Sequence, residues 1–147
     1  MQVSTKGRYA LRLMVDLGSA DKDAFTPLRE ISERQKISEK YLEQIIRPLA
    51  KAGYVRSARG IFGGYQLAKD SQAITVGEVL RAVEGELAPI PCSSRIGDNC
   101  ENTTTCVTRD VWQSINDSVN EVVDNITLEE LVSRSNNTRG ACPSKLI

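Results

Sequence analysis

The stretch "ISEKYLEQIIRPLAKAGYVRSARGIFGGYQLAKD", residues 37–70, decides the fold of this chain. Ser38 is a favourable N-cap residue, and the residues after it predict an amphipathic helix that ends at Gly53. Its apolar residues recur at i, i+3, i+4 and i+7, at Leu42, Ile45, Ile46 and Leu49. Two short strand candidates follow, residues 54–57 and 65–68, and the glycine-containing loop between them is of the hairpin type.

A shorter helix precedes this one. Thr26 followed by Pro27 predicts its start, with a hydroxyl cap and a proline at the first helical position, and it ends near Arg34. Leu28 and Ile31 are its inward-facing residues. A short helix, a tight turn and a longer helix form a helix-turn-helix, and a hairpin directly behind it makes a winged helix. Similar helix pairs also occur in other all-α proteins, so the glycine-rich hairpin is what favours the winged helix.

The rest of the chain predicts further helices around one loop. A first amphipathic helix starts near Ser4, T-x-x-E capping boxes begin helices at Thr75 and Thr127, and apolar residues predict a long helix over 107–126. We expect a mostly α chain, a winged helix-turn-helix with a long C-terminal dimerisation helix. The segments are a DNA-binding domain at 1–84, a cysteine-containing loop at 85–106, the dimerisation helix and a short terminal helix at 107–135, and a flexible tail at 136–147.

The long helix carries an apolar stripe that needs a partner. In a chain of 147 residues with a compact front lobe, a second copy of the same helix fits this need. A two-fold homodimer then presents two reading helices to a palindromic DNA site. Packing within one chain is the alternative. The residues expected at the dimer interface are Val111, Trp112, Ile115, Val119 and Val122.

Charge and composition narrow the function classes. Residues 1–70 carry 13 basic and 8 acidic side chains and residues 71–147 carry 6 and 11, so a polyanion partner suits the front half only. The absence of histidine excludes Ser-His-Asp and Cys-His nucleophile pairs and the usual zinc hydrolase sites. With no phosphate cradle and no paired-carboxylate motif, we expect no enzyme; an enzyme that uses carboxylates or Lys, or a plain interaction module, is the alternative. The N-terminus lacks a signal pattern and no apolar run spans a bilayer, which predicts a cytoplasmic protein with no membrane contact.

The exposed face of the longer helix and the hairpin behind it are the candidate DNA-binding surface. Lys40 and Gln44 are the base-reading candidates, since Lys binds guanine and Gln binds adenine in the major groove. Arg59, on the glycine-rich wing, is the minor-groove candidate. A solvated surface residue is the alternative for each, and for Glu43 it is the favoured interpretation from the residues alone. The full set expected at the DNA is Ser38, Lys40, Tyr41, Glu43, Gln44, Arg56, Arg59 and Gly60.

Three of the four cysteines lie in "CSSRIGDNCENTTTC", residues 92–106, with the spacing C-x7-C-x5-C. In a reducing compartment, clustered cysteines indicate metal ligands or redox groups before disulfides. Paired C-x2-4-C knuckles of structural zinc are absent, whereas iron–sulfur clusters accept looser spacings. The candidate ligands are therefore Cys92, Cys100 and Cys106, with one coordination position open. The options for it are Asp98, Glu101, Asp110, a group of the partner subunit, a small molecule, or Cys142, which reads first as a free thiol; thiols without metal are the alternative.

Four segments together resemble a known family: "STKGRYAL", the stretch at 37–70, "ITVGEVLRAVEG" and the three-cysteine loop. They are similar to the bacterial winged-helix transcription regulators typified by the iron–sulfur cluster regulator IscR, over residues 1–132. The resemblance implies a homodimeric DNA-binding repressor or activator whose three cysteines hold an iron–sulfur cluster, with the two-iron form favoured over the four-iron form. It also implies that the positions at the DNA include Lys40, Glu43, Gln44 and Arg59, and that Glu43 tunes which DNA sequences are accepted.

The resemblance is incomplete at the open ligand position. IscR carries a histidine three residues after its last cysteine, where this chain has Arg109, and a guanidinium is a poor ligand because it stays protonated. The nitric-oxide-sensing relative NsrR uses a carboxylate of the other subunit, and the matching residue here is Arg8. The arrangement is most similar to the three cysteines of iron-responsive relatives such as RirA, completed by solvent, a carboxylate or a small thiol. The cysteine-metabolism regulator CymR is also similar but lacks the loop. The alternative function is therefore a metal-independent thiol redox switch or a repressor of CymR type.

Overall fold

The computed structural model describes residues 2–93, 101–102 and 104–138. These residues form six α-helices and one antiparallel two-stranded sheet: α1 (Thr5–Ser19), α2 (Leu28–Gln35), α3 (Glu39–Lys51), β1 (Val55–Ala58), β2 (Gly64–Leu67), α4 (Val76–Glu84), α5 (Arg109–Asn125) and α6 (Leu128–Asn137). Short 3-10 turns lie at Ser71–Ala73 and Pro91–Ser93. The arrangement confirms the predicted mostly α winged helix-turn-helix followed by a long helix. Within the described residues, no helix is long and apolar enough to cross a membrane.

The turn between α2 and α3 is three residues long and is fixed by local hydrogen bonds. Lys36 ends α2 in the left-handed conformation, with φ 57°. The hydroxyl of Ser32 donates to the carbonyl of Ile37 at 2.6 Å, and the Ile37 side chain is buried. Ser38 caps α3 as predicted, because its hydroxyl accepts from the N–H of Tyr41 at 3.3 Å. These contacts set the direction of α3 relative to α2.

The start of α2 differs from the sequence-based prediction. The helix begins at Leu28, after Pro27, and no side chain caps it. Thr26 instead forms an antiparallel bridge with Tyr65, in which both N–H···O distances are 2.8 Å. The predicted cap at Thr26 is wrong because this residue lends its backbone to the base of the hairpin.

The loop of the hairpin is shorter than the sequence predicted, because both strands reach one residue closer to the tip. Val55 pairs with Leu67 and Ala58 pairs with Gly64, so β1 starts one residue late and β2 one residue early. Gly64 has φ 146°, and a side chain there would collide with the backbone of Thr26. The glycine therefore permits the close approach of the hairpin to the segment before α2. Residues 54–69 are called the wing below.

The core is built around α1. Its residues Leu13 and Met14 are fully buried, and all four apolar residues predicted for the inner face of α3 are buried as well. The same cluster takes residues from α2, β1, the segment before α4, α4 and α6: Ile31, Val55, Ile74, Val79, Leu128 and Val132. The inner stripe of α3 is thus confirmed, and its polar face is left outside.

Polar contacts cap the start of α4 and join its other end to α1. Thr75 and Glu78 form the predicted capping box, with both reciprocal hydrogen bonds present. At the other end, one carboxylate oxygen of Glu84 accepts from the backbone N–H of Ser4 at 2.9 Å and of Gly7 at 3.0 Å. A carboxylate is favourable at the N-terminus of a helix. Glu84 therefore anchors the start of α1 to α4.

A bidentate ion pair fixes α5 to α4. The two terminal nitrogens of Arg81 lie 2.6 Å and 3.0 Å from the carboxylate oxygens of Asp124. Arg81 also donates to the side-chain oxygen of Asn120 at 2.5 Å, and Asn120 donates to the carbonyl of Asn116 at 2.7 Å. Both asparagines are buried. The side of α5 that faces its own chain thus has a polar centre, which the apolar pattern did not predict.

Candidate nucleic-acid interface and cysteine loop

The reading helix α3 presents a polar face to solvent. Lys40, Glu43, Gln44 and Arg47 are exposed, and their spacing places them on the side opposite the buried stripe. The face combines two cations, an amide and one carboxylate, which are groups that bind guanine, adenine and cytosine in the major groove. Ser38 is exposed at the start of the helix, with its hydroxyl engaged in the cap. The structure thus brings the predicted base-reading side chains together.

Tyr41 does not lie on the exposed face of α3, contrary to the sequence-based interpretation. It is half-buried, and its ring meets the ring of Tyr9 edge-on, with 5.7 Å between centroids. The guanidinium of Arg12 lies 5.4 Å from the centroid of the Tyr9 ring. The reason is geometric, since position 41 precedes a buried leucine and borders the inner stripe. Tyr41 therefore ties the start of α3 to α1.

Arg56 is oriented from beneath by the buried Gln66 and the half-buried Phe25. Its Nε donates to the side-chain oxygen of Gln66 at 2.7 Å, and its guanidinium lies 5.9 Å from the centroid of the Phe25 ring. Gln66 is buried and donates in turn to the carbonyls of Lys22 at 2.6 Å and Ala24 at 3.3 Å. The side chain of Arg56 is thus exposed at the base of the wing but held in one direction.

Sequence reasoning missed Gln66 and Phe25 as supporting residues. Gln66 pairs with Arg56 across the hairpin. This pairing could have suggested that its polar side chain, which faces inward, supports Arg56. No sequence signal pointed to Phe25, because its contact with Arg56 depends on how the segment before α2 lies against the wing.

The loop between the strands holds Arg59 and Gly60, both exposed. Gly60 has φ 105°, a backbone conformation that favours glycine. The N–H of Gly63 donates to the carbonyl of Gly60 at 3.0 Å and closes the turn. Arg59 therefore directly precedes this hydrogen-bonded turn, at the outer end of the wing.

The long helix α5 has two different faces. Val119 and Val123 are half-buried and pack against a small cluster around Leu80, within the same chain. Trp112 is also half-buried. The apolar residues that remain exposed on this helix are Val111 (55%), Ile115 (38%) and Val122 (58%). The predicted stripe is thus divided, with part of it packed internally and part left on the surface.

Two of the three loop cysteines lie within the described residues. Cys92 is half-buried in the 3-10 turn Pro91–Ser93, and this turn packs against α5. Cys106 is exposed just before α5, and its backbone N–H donates to the carbonyl of Asn102 at 3.0 Å. Both are free thiols. Three predicted candidates lie outside the described residues: Cys100, Cys142 and Asp98.

The environment of Cys106 favours its thiolate form. Its sulfur lies 3.3 Å from the hydroxyl of Thr108. Hydrogen bonds from the hydroxyl and the backbone N–H of Thr108 lower the pKa of the Cys106 thiol from its ordinary value, and Arg109 adds to this effect. Thiolates, rather than thiols, are the nucleophiles and metal ligands of cysteine.

The donor set is three cysteines, the residue type that iron–sulfur clusters take as ligands, and the structure describes two of them. Cys92 and Cys106 supply free thiols at the two ends of residues 92–106, and Cys100 lies between them in sequence. In the part of the chain that the structure describes, no three His, Cys, Asp or Glu side chains group as a metal site. Arg109 begins α5 where the resemblance places a fourth ligand, and its guanidinium does not fit that role. The carboxylates of Glu101 and Asp110 are exposed.

Comparisons with known proteins agree on one class of regulator. The family model described as "Rrf2: Iron-dependent Transcriptional regulator" matches residues 3–134. The regulator CymR of Bacillus subtilis is 40% identical over 133 residues, covering 90% of this chain and 91% of CymR. IscR of Yersinia pestis is 41% identical over 133 residues, covering 90% and 80%. The structure of CymR, described as the global cysteine regulator, aligns with a TM-score of 0.76 over 91% of this chain, and that of T. potens IscR aligns with 0.76 over 97%, at 37% identity.

Proposed function

The chain belongs to the Rrf2 family of transcriptional regulators, and from this premise we propose that it binds a palindromic operator as a homodimer, under control of an iron–sulfur cluster on its cysteine loop. Its relatives are named as regulators of transcription, and it is not an enzyme. The observation that carries the proposal is the pairing of the polar face of α3 with a wing that contains three basic and no acidic residues.

Base reading is assigned to the middle of the exposed face of α3. Lys40 and Gln44 lie one helical turn apart and donate to guanine and adenine, while Glu43 accepts from cytosine and rejects other bases at the same step. Ser38 and Tyr41 lie near the N-terminus of α3, where backbone N–H groups suit a DNA phosphate. Tyr41 acts there through its contact with α1, which holds the helix in its reading position.

The wing supplies the second set of DNA contacts. Arg59 enters the minor groove beside the half-site, and Gly60 allows the backbone to approach the phosphates closely. Arg56, held over Phe25 by Gln66, contacts a phosphate at the base of the wing. Because Arg56 is oriented before binding, less side-chain freedom is lost when the DNA arrives.

Dimerisation is assigned to the exposed side of α5. Val111, Ile115 and Val122 remain uncovered in the single chain, and Trp112 is partly covered. Val119 packs against its own lobe and supports the helix from behind. A two-fold axis that relates the two copies of α5 places two copies of α3 on one side of the DNA. The half-sites are then about 34–36 Å apart.

The cluster is assigned to the thiolates of Cys92, Cys100 and Cys106. When bound, an iron–sulfur cluster supplies a centre that depends on iron and on redox conditions. The chain itself links this loop to the reading helix through fixed contacts. The turn that holds Cys92 packs on α5, which is tied to α4 by Arg81 and Asp124. Glu84 then ties α4 to α1, and the Tyr9–Tyr41 contact ties α1 to α3.

The experiment starts from random-sequence DNA. Protein purified without air is used to select bound sequences, and affinity for the selected site is measured by fluorescence anisotropy at several salt concentrations. We expect an inverted repeat, and a log–log salt slope of about −0.9 for each phosphate contacted. Iron and acid-labile sulfide are determined in the same protein and in Cys106→Ala. Absence of any enriched sequence contradicts the DNA-binding part, and absence of iron and sulfide after anaerobic reconstitution contradicts the cluster part.

A metal-independent thiol switch is the second candidate. It is favoured by the exposure of Cys106 and by the free state of both described loop thiols. In this case a peroxide takes two electrons and two protons from two thiols, which become a disulfide, and hydrogen peroxide leaves as two waters. The test is operator affinity of iron-free protein before and after peroxide, with reversal by a dithiol. A peroxide-independent affinity contradicts this candidate.

A further inference from the structure

The tip of the wing exposes two large apolar side chains. Ile61 is 94% exposed and Phe62 is 91% exposed. They are the two central residues of the turn closed by the hydrogen bond from Gly63 to Gly60. Side chains at these positions point away from the strands, so neither packs on the body of the protein. An apolar pair held in water at the end of a projecting element indicates a contact made only with a partner.

The wing tip is rigidly presented. A side chain at position 63 would collide with the backbone of Ala58, Arg59 and Gly60, so the loop is closed on itself. The base of the hairpin is bridged to Thr26, and Gln66 ties it to the segment before α2. Ile61 and Phe62 are thus offered from a braced hairpin.

The basic charge of the whole wing, together with the apolar pair at its tip, points to a polyanion with apolar surfaces as the partner. Residues 54–69 carry Arg56, Arg59 and Lys69 and no acidic side chain. Double-stranded DNA has this combination, since phosphates line the minor groove while deoxyribose faces and base steps lie within it. The wing follows the reading helix directly in the chain, and its base is bridged to Thr26 just before α2, so the wing and α3 belong to the same lobe.

We propose that Phe62, flanked by Ile61, enters the DNA minor groove next to each half-site and packs against sugar faces and a partly opened base step. This inference rests on the proposed function, because it requires operator binding. Apolar side chains inserted in this way unstack base steps and bend the duplex, and pyrimidine–purine steps open most easily. The wing tip therefore adds a preference for TA or CA steps at a position that α3 does not touch.

The test compares Phe62→Ser with the conservative change Phe62→Leu and with the control Val3→Ser, an exposed valine outside the wing. Affinity for the selected operator is measured by anisotropy, with 2-aminopurine placed at the step that faces the wing. We expect Phe62→Ser to bind roughly tenfold more weakly, at an unchanged salt slope, because an apolar contact neutralises no phosphate. Phe62→Leu retains most of the affinity and Val3→Ser all of it. Aminopurine fluorescence rises with wild-type protein and not with Phe62→Ser.

Operator affinity of Phe62→Ser within twofold of wild type overturns the inference. Binding to anionic phosphatidylglycerol vesicles is measured in parallel, and a loss confined to vesicles also overturns it, in favour of a membrane contact. Failure of the proposed function itself is distinguishable, because the wild-type protein then enriches no DNA sequence at all. Circular dichroism of each variant checks the fold, which we expect to be unchanged since the tip contacts no core residue.

Discussion

The winged lobe and the cysteine loop use opposite means to position their functional residues. In the lobe, Arg56 is held by the buried Gln66, and Lys40 lies on a helix whose opposite face is packed in the core. In the loop, Cys106 is exposed before α5 and Cys92 is half-buried in a short turn. The lobe is thus ordered by its own core. The loop contributes thiols that need a bound group or an oxidant to act together.

The largest effect that this comparison predicts is on stability. Leu42→Ala removes a fully buried side chain from the centre of the lobe and is expected to lower the free energy of unfolding by about 3 kcal/mol. Cys106→Ala changes an exposed residue and is expected to change it by less than about 0.5 kcal/mol in iron-free protein. Urea unfolding followed by circular dichroism measures both. Equal losses for the two variants would break the distinction between lobe and loop.

The next effect is on DNA binding without loss of stability. Arg59→Ala is expected to weaken operator binding by roughly 1–3 kcal/mol, because it removes a specific groove contact from the wing. Lys69→Ala, in the same wing but beyond β2, is the matched control and should cost less. Anisotropy titrations with the selected operator measure the difference. An unchanged affinity for Arg59→Ala removes this residue from the interface.

A smaller effect is expected where the two regions are joined. Arg81→Ala removes the bidentate ion pair with Asp124 and the hydrogen bond to Asn120, and should cost roughly 1–2 kcal/mol of stability because both contacts are partly shielded from water. Arg134→Ala removes an exposed pair with Glu130 and should cost less than about 0.5 kcal/mol. If the Arg81 contact also transmits the state of the loop, Arg81→Ala reduces the difference in operator affinity between iron-loaded and iron-free protein. An undiminished difference shows that α4 and α5 do not carry that coupling.

The smallest effect is expected at the fourth cysteine. Cys142→Ala should leave the iron and acid-labile sulfide content unchanged, whereas Cys92→Ala and Cys100→Ala should each abolish cluster retention. Metal and sulfide analysis of anaerobically purified variants measures this. Loss of iron in Cys142→Ala makes the tail a source of the fourth ligand, and the three-cysteine assignment is then wrong.

The lobe could be predicted from sequence because the residues that its elements bury recur with a regular spacing. The stripe of α3, the cap at Ser38 and the capping box at Thr75 are all present as predicted. The sequence-based predictions were wrong where a residue contacts a segment that is distant in sequence. Thr26 pairs with Tyr65 instead of capping α2, and Tyr41 packs against Tyr9 instead of facing solvent. Neither contact can be predicted from the local periodicity of apolar residues.

The long helix and the ligand set could be predicted only in outline. Apolar spacing predicted the existence of α5, but not its buried Asn116 and Asn120, because the partner of Asn120 is Arg81 on another helix, which no local pattern reveals. Cysteine spacing identifies the thiols but not the group that they bind, because a cluster, a disulfide and free thiols are all compatible with the same spacing. The resemblance could not supply a fourth ligand either, since Arg109 and Arg8 stand at the two matching positions.

The most direct test of the central claim is one comparison of operator affinity. Protein isolated without air, with iron and sulfide determined per chain, is titrated against its selected operator and compared with the same preparation after chelation under anaerobic conditions. We expect the dissociation constant to change by at least about fivefold on one or more operators, the lower end of usual allosteric couplings. Equal affinity of the two forms for every operator would contradict it, and would leave a DNA-binding regulator whose cysteine loop does not control it through iron.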